Sequence, residues 1–240
     1  MQKYLNRKAH YIKRGVDKMF VINKIYYAEI AKELEPFNLS QTLNLVSYHK
    51  RQKFNISMLN YNMKLSVYAE ILLRYLLCDY LGVRNEDLII LNNSYGKPYL
   101  KNHTNIDFNI SHTKNAVTVV ISDKPVGIDI EIIANENVLI ARRFFTKNEF
   151  DYVYKCHDRI NERFFEIWTK KEAFIKCAGQ GLSIPLQSFD IFEHEQGHKS
   201  IVSIKTQKHI ISICGEREYS NKDIVRITER EIMDMACLLL

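Results

Sequence analysis

Six consecutive residues, Gly127-Ile128-Asp129-Ile130-Glu131-Ile132, constrain this 240-residue chain more than any other segment. Side chains alternate across a strand, so Ile128, Ile130 and Ile132 face one way while Asp129 and Glu131 face the other. The three isoleucines need a core to cover them. The two carboxylates lie two strand rises apart, roughly 7 Å. Like charges that close repel, and a hard divalent cation removes the repulsion. A lone Asp-x-Glu, however, is more often the solvated face of a sheet.

A second segment changes that weighting. Residues from about Asn161 to Ala178 carry a helical period and stop at Gly179, a C-cap residue. With Trp168 at the zero of a helical wheel, Phe164, Trp168, Ile175 and Phe165 span one apolar stripe. Glu172 falls between Trp168 and Phe165, Lys176 lies at the stripe's edge, and Lys170 and Glu166 are expected to point to solvent. A Glu172–Lys176 pair at i,i+4 is worth only about 0.2–0.5 kcal/mol. It does not account for a carboxylate within an aromatic stripe, because carboxylates are seldom buried without a partner. Were Glu172 to meet Asp129 and Glu131, three carboxylates would suit one Mg2+ and phosphoryl transfer.

The rest of the chain reads as α+β. Phe20 to Ile30 alternates as a first strand, and an amphipathic helix runs from about Lys64 to Leu81. Short strands are expected at Leu88 to Leu91, Phe108 to Ile110, Ala116 to Ser122 and Val126 to Ile132, the last two joined by a hairpin turn at Ser122-Asp123-Lys124-Pro125. Thr146 with Glu149 forms a capping box opening a helix to about Tyr154. Apolar stretches at Ser188 to Phe192, Ile201 to Ile204 and His209 to Cys214 suggest a second antiparallel sheet. Three parts follow: residues 1–18 as a basic extension, read either as a flexible tail or as preceding a true start at Met19, then subdomains at 19–125 and 126–240.

Composition excludes several classes. No apolar run approaches the length of a membrane span, and the N-terminus lacks a secretory core, so a soluble cytoplasmic protein is expected. Cys78, Cys156, Cys177, Cys214 and Cys237 form no CxxC pair and read as reduced structural thiols. The net charge of +6 suits phosphates or an acidic protein, while no nucleic-acid-binding motif is present. His194-Glu195-Gln196-Gly197-His198 matches a zinc-protease pattern, but Gly197 weakens the helix that pattern needs, and a hairpin loop is expected instead.

Four segments together resemble the Sfp-type 4′-phosphopantetheinyl transferases. They are Tyr95-Gly96-Lys97-Pro98, Phe108-Asn109-Ile110-Ser111-His112-Thr113, Gly127-Ile128-Asp129-Ile130-Glu131 and Trp168-Thr169-Lys170-Lys171-Glu172-Ala173-Phe174-Ile175-Lys176. Weaker matches lie at Arg143-Phe144-Phe145 and at Gly179 to Leu186. The resemblance implies a pseudo-dimer of two similar α/β subdomains, monomeric, with coenzyme A in the cleft between them. It implies that Asp129, Glu131 and Glu172 bind Mg2+ (Mn2+ being the alternative), that Glu172 is the general base, and that Lys176 stabilises the leaving group. It assigns Ser111 and His112, with Lys50 and Lys53, to the 3′-phosphate end, and Tyr95, Gly96, Lys97 and Pro98 to the adenine and phosphate pocket. The partner would be an acidic apo acyl or peptidyl carrier protein, with neither nucleic acid nor membrane involved. One departure stands out: Leu65 occupies the position of an Arg that relatives use for the 3′-phosphate, leaving neighbouring Lys64 as a substitute without the bidentate fork. Two rivals are another Mg2+-dependent phosphoryl-transfer enzyme and a non-catalytic module that binds acidic proteins.

Overall fold

The computed structural model describes residues 22–32, 42–53, 61–135, 137–155, 157–194 and 199–240. The expected basic extension and most of the His194–His198 pattern lie outside these residues, as does Cys156. In chain order the elements are β1 (Ile25–Glu29), α1 (Tyr48–Lys53), α2 (Tyr61–Leu81), β2 (Ile90–Asn92), β3 (Pro98–Leu100), β4 (Asp107–Thr113) and β5 (Ala116–Ser122). They continue with β6 (Val126–Ile132), α3 (Val138–Phe144), α4 (Lys147–Tyr154), α5 (Ile160–Ala178), β7 (Ser200–Lys205), β8 (His209–Gly215), β9 (Ile224–Arg226) and α6 (Glu229–Leu239). The fold is mixed α and β.

One sheet has the order β4-β5-β1-β9 and a second the order β6-β8-β7, while β2 and β3 form a separate hairpin. Within the first sheet β1 runs antiparallel to β5 and parallel to β9. The second sheet is antiparallel throughout. Every residue of β5 is buried because both faces are covered. Val117, Val119 and Ile121 meet Leu72, Leu76 and other residues of α2, whereas Ala116 and Val120 meet Ile128, Ile130, Ile211 and Ile213 of the second sheet. The isoleucines of β6 therefore fill the core between the sheets, as their alternation requires. Asp129 and Glu131 face the other way, toward α5. The chain's last elements return to the first sheet, where β9 pairs with β1 and Ile232, Met235 and Ala236 of α6 join the core around α2.

Two expectations are corrected. Ser122 to Pro125 is not a hairpin turn, since β5 pairs with β4 and β1 while β6 pairs with β8; the turn carries the chain from one sheet to the other. Ser188 to Phe192 is not a strand either. Two of its backbone donors are taken by carboxylates, with Ile191 N–H bonded to Glu149 at 2.8 Å and Phe192 N–H to Asp190 at 3.0 Å, the Ser188 N–H goes to the Pro185 carbonyl, and a helical turn begins at Ile191 and runs to His194. By contrast, the Thr146–Glu149 capping box and the left-handed cap at Gly179 (φ 68°) both form.

Gly127 sets how closely α5 approaches β6. A Cβ at this position would lie 2.1 Å from the Ala173 carbonyl oxygen and 2.3 Å from the Cys177 nitrogen. Backbone cannot yield as a flexible side chain can. Gly127→Ala is therefore expected to lower stability by about 3 kcal/mol or more, read by urea denaturation.

Candidate active site

β4 and β6 lie side by side and advance in the same direction without a backbone ladder between them. Side chains make the connection. Asp107 accepts the Val126 N–H at 2.8 Å and Asn109 accepts the Ile128 N–H at 2.9 Å. Farther along, Ser111 Oγ donates to Asp129 Oδ1 at 2.8 Å and Thr113 Oγ1 to Glu131 Oε2 at 2.8 Å. The odd-numbered face of β4 thus satisfies the exposed edge of β6 and orients both carboxylates. Asn109 and Thr113 were given no role in the sequence reading and Asp107 was not singled out, although polar residues at every second position from 107 to 113 were the available signal.

α5 supplies the remaining groups. Glu172, Lys176 and Trp168 line a cleft of about 420 Å3 together with Asp129, Glu131 and Ser111. Lys176 Nζ lies 2.6 Å from Asp129 Oδ1 and donates to Ser111 Oγ at 3.1 Å. The rotation of α5 is fixed from behind by Lys171, which is wholly buried beside Glu172 in the chain. Its ammonium reaches Glu149 Oε1 at 2.6 Å, Oε2 at 2.7 Å and the Phe189 carbonyl at 2.7 Å. Burial pushes the Lys171 ammonium down and Glu149 partly opposes this. Thr169 adds a bond to Ser212 of β8 at 2.6 Å. Lys170 departs from expectation: it is buried and bonded to Glu166 at 2.8 Å, and Tyr152 holds the same carboxylate. α5 has neighbours on more sides than the wheel alone suggested.

The even-numbered face of β4 borders a second, larger cavity of about 1080 Å3, lined by Phe108, Ile110, His112, Lys50, Gly96 and Pro98 among others. The two cavities share Ser66, Ile110 and His112. Lys50 lies 3.1 Å from Glu70 and donates to the Ser66 carbonyl. His112 opens to solvent, yet the protein around its ring, then Lys50 and Lys176, hold it below the usual value, with Asp129 opposing.

Not every residue implied by the resemblance reaches these cavities. Lys64 is buried, paired with Glu229 at 2.7 Å and bonded to the Ala31 carbonyl, so its ammonium is turned toward α6. Lys97 is held by Asp107 at 2.6 Å and by the Val126 carbonyl at 3.1 Å. Tyr95 is exposed. Lys53 belongs to α1, and its side chain lies outside the described residues.

The donor chemistry of the smaller cleft fits a hard divalent ion. Asp129 Oδ2 is buried without a hydrogen-bond partner among the described residues, and an orphaned buried carboxylate oxygen is costly unless an ion or water satisfies it. Burial, then Asp129, raise the Glu131 and Glu172 carboxyls above their ordinary range, with Lys176 opposing in both cases and Thr113 also at Glu131. Among the described residues, though, no three such donors already stand arranged to share an ion. Lys176 occupies one oxygen of Asp129 instead.

These raised values have a definite sign. The folded metal-free protein keeps protons on Glu131 and Glu172 at a pH where the unfolded chain has lost them, so each contributes stability below the ordinary value of 4.5 that is lost as pH rises through the folded value. Glu172→Gln is expected to flatten part of this fall, so its Tm relative to the wild type should increase as pH rises through that window. Separately, Lys171→Met strands the Glu149 carboxylate and should cost about 3–5 kcal/mol, with much of the loss recovered when Glu149 is also replaced by Leu; chemical denaturation of both variants checks this.

Comparison with known proteins shows what the chain is similar to. The family model described as "4'-phosphopantetheinyl transferase, N-terminal" matches residues 35–124, and that of the "4'-phosphopantetheinyl transferase superfamily" matches residues 125–226. The chain is 30% identical over 223 residues to the 4′-phosphopantetheinyl transferase ffp of Bacillus subtilis, covering 88% of this chain and all of the relative. It is 32% identical over 191 residues to gsp of Aneurinibacillus migulanus, covering 79% of each. To Sfp of Bacillus subtilis strain 168 it is 28% identical over 223 residues, again 88% of this chain and all of the relative.

Proposed function

The chain belongs to the 4′-phosphopantetheinyl transferase superfamily, and on that premise we propose that it moves the phosphopantetheine arm of coenzyme A onto a serine of an apo acyl or peptidyl carrier protein. The observation that carries this reading is the junction of a large cavity with a carboxylate-lined cleft across Ser66, Ile110 and His112. A nucleotide fits the larger space, and its pyrophosphate then reaches the smaller one.

In this reading Asp129, Glu131 and Glu172 hold Mg2+ or Mn2+, with Asp129 Oδ2 as the oxygen that has no other partner. The ion supplies charge neutralisation at the pyrophosphate. Glu172, which lines the cleft beside Asp129 and Lys176, takes the proton from the carrier serine hydroxyl as general base. The serine oxygen bonds to the β-phosphorus as the bond to the bridging oxygen breaks, and adenosine 3′,5′-bisphosphate leaves. Lys176, held beside Asp129, places positive charge where the leaving group gains negative charge. His112 and Lys50 face the larger cavity and serve the 3′-phosphate end. Ser111 aligns Asp129 and Lys176 with its hydroxyl.

The net charge of +6 suits an acidic carrier, because complementary charge accelerates encounter and weakens with salt. Apparent affinity for the carrier is expected to fall as ionic strength rises. The direct test is incubation with coenzyme A, Mg2+ and an apo carrier, followed by intact mass. A gain of one phosphopantetheine supports the reading, and no gain sinks it. Glu172→Gln should slow transfer by about 10²-fold or more, whereas a module that merely bound acidic proteins would be untouched.

A further inference from the structure

We propose that the turn from Asn93 to Lys97 is a positioning element that clamps the end of α5 and the start of β6, so that a ligand in the large cavity braces the carboxylate cleft. This rests on the transferase reading above and concerns residues that do not themselves touch the reacting atoms.

The turn has two sides. On one, Gly96 and Pro98 line the large cavity. On the other, Asn93 Nδ2 donates to the Gly179 carbonyl at 2.8 Å. Asn93 Oδ1 accepts the Tyr95 and Lys97 N–H groups, each at 2.9 Å, so three bonds fix the orientation of the amide. Gly179 and Gly181 both adopt left-handed backbone (φ 68° and 55°), and the turn lies close against them. A Cβ on Gly179 would come 3.1 Å from Lys97 Cδ, and one on Gly181 would come 3.1 Å from the Tyr95 carbonyl oxygen.

Lys97 completes the clamp at the sheet. Its ammonium binds Asp107 Oδ2 at 2.6 Å and the Val126 carbonyl at 3.1 Å, while the same Asp107 oxygen accepts the Val126 N–H. One ion pair therefore holds both backbone polar groups of the residue at which β6 begins. Three residues beyond Val126 is Asp129, and three residues before Gly179 is Lys176. The contact between these two is bracketed by the turn. An error of about 1 Å in such a contact is enough to slow a reaction substantially.

Asn93→Asp separates the turn's own geometry from the clamp. The Asp oxygen can still accept both N–H groups, but an oxygen replaces the donor that faced the Gly179 carbonyl. Lys97→Met removes the ammonium at similar length, and Lys97→Arg restores a cation. Each of Asn93→Asp and Lys97→Met is expected to slow transfer at saturating coenzyme A by about tenfold, with the Kd for coenzyme A changed by less than about twofold. Lys97→Arg should recover most of the rate. Coenzyme A should slow amide hydrogen exchange across residues 172–180 in the wild type and much less in Asn93→Asp.

Unchanged rates and unchanged exchange would overturn the proposal. A Kd that rises about tenfold in Lys97→Met with full rate at saturation would also overturn it, by making Lys97 a phosphate ligand. A wild type that neither binds coenzyme A nor transfers its arm would defeat the transferase reading alone. The clamp is then still judged by ligand-free exchange at 172–180, which should be faster in Asn93→Asp, and equal exchange would overturn it.

Discussion

The edge of β6 that faces β4 has no strand to pair with, and how the protein satisfies that edge governs much else. Four side chains of β4 reach across, two taking backbone N–H groups and two holding carboxylates. A regular ladder would have brought the strands closer and left no side chain free to orient Asp129 and Glu131. Bridging by side chains keeps the halves joined while a cleft remains between them. The same strand borders both cavities: Ile110 and His112 line the two of them, and Ser111 lines the smaller alone.

Helix α5 is pressed onto this arrangement from the other side. Gly127 lets the helix backbone approach the strand directly, and the buried Lys171–Glu149 pair sets its rotation. A buried ion pair is weak evidence of stability, because desolvating both charges offsets much of their attraction. Here each partner is saturated: Glu149 also accepts the Thr146 and Ile191 N–H groups. The pair ties α5, α4 and the segment before Ile191 into one unit, and Glu172 projects about 100° around the helix from it.

The cleft itself is unbalanced by construction. Three carboxylates face one ammonium, and two of those carboxylates hold protons more tightly than in water. Such an excess of carboxylates over ammonium groups suits a cation, and Asp129 Oδ2 has no other hydrogen-bond partner among the described residues. The arrangement suits chemistry in which charge builds up and is released within one step.

Much of this was legible in the residues. The alternation of 127–132 fixed which side chains would face a core, because a strand offers only two faces. The period from about Asn161 to Ala178 and its glycine stop defined α5, and the capping box defined the start of α4. Local rules sufficed there, since each concerns neighbours along the chain. They failed where a partner came from elsewhere: the Ile191 N–H went to the Glu149 carboxylate of α4, and Lys170 was covered by neighbours the wheel did not include. Lys64 and Lys97 look like free cations in sequence, yet Glu229 and Asp107 claim them across separations of 165 and 10 residues. The sequence by itself determined the strand and the helix that carry the cleft and the types of side chain they offer there. Only the tertiary structure decided which charges remained available there, because pairing depends on distance in space and not on spacing along the chain.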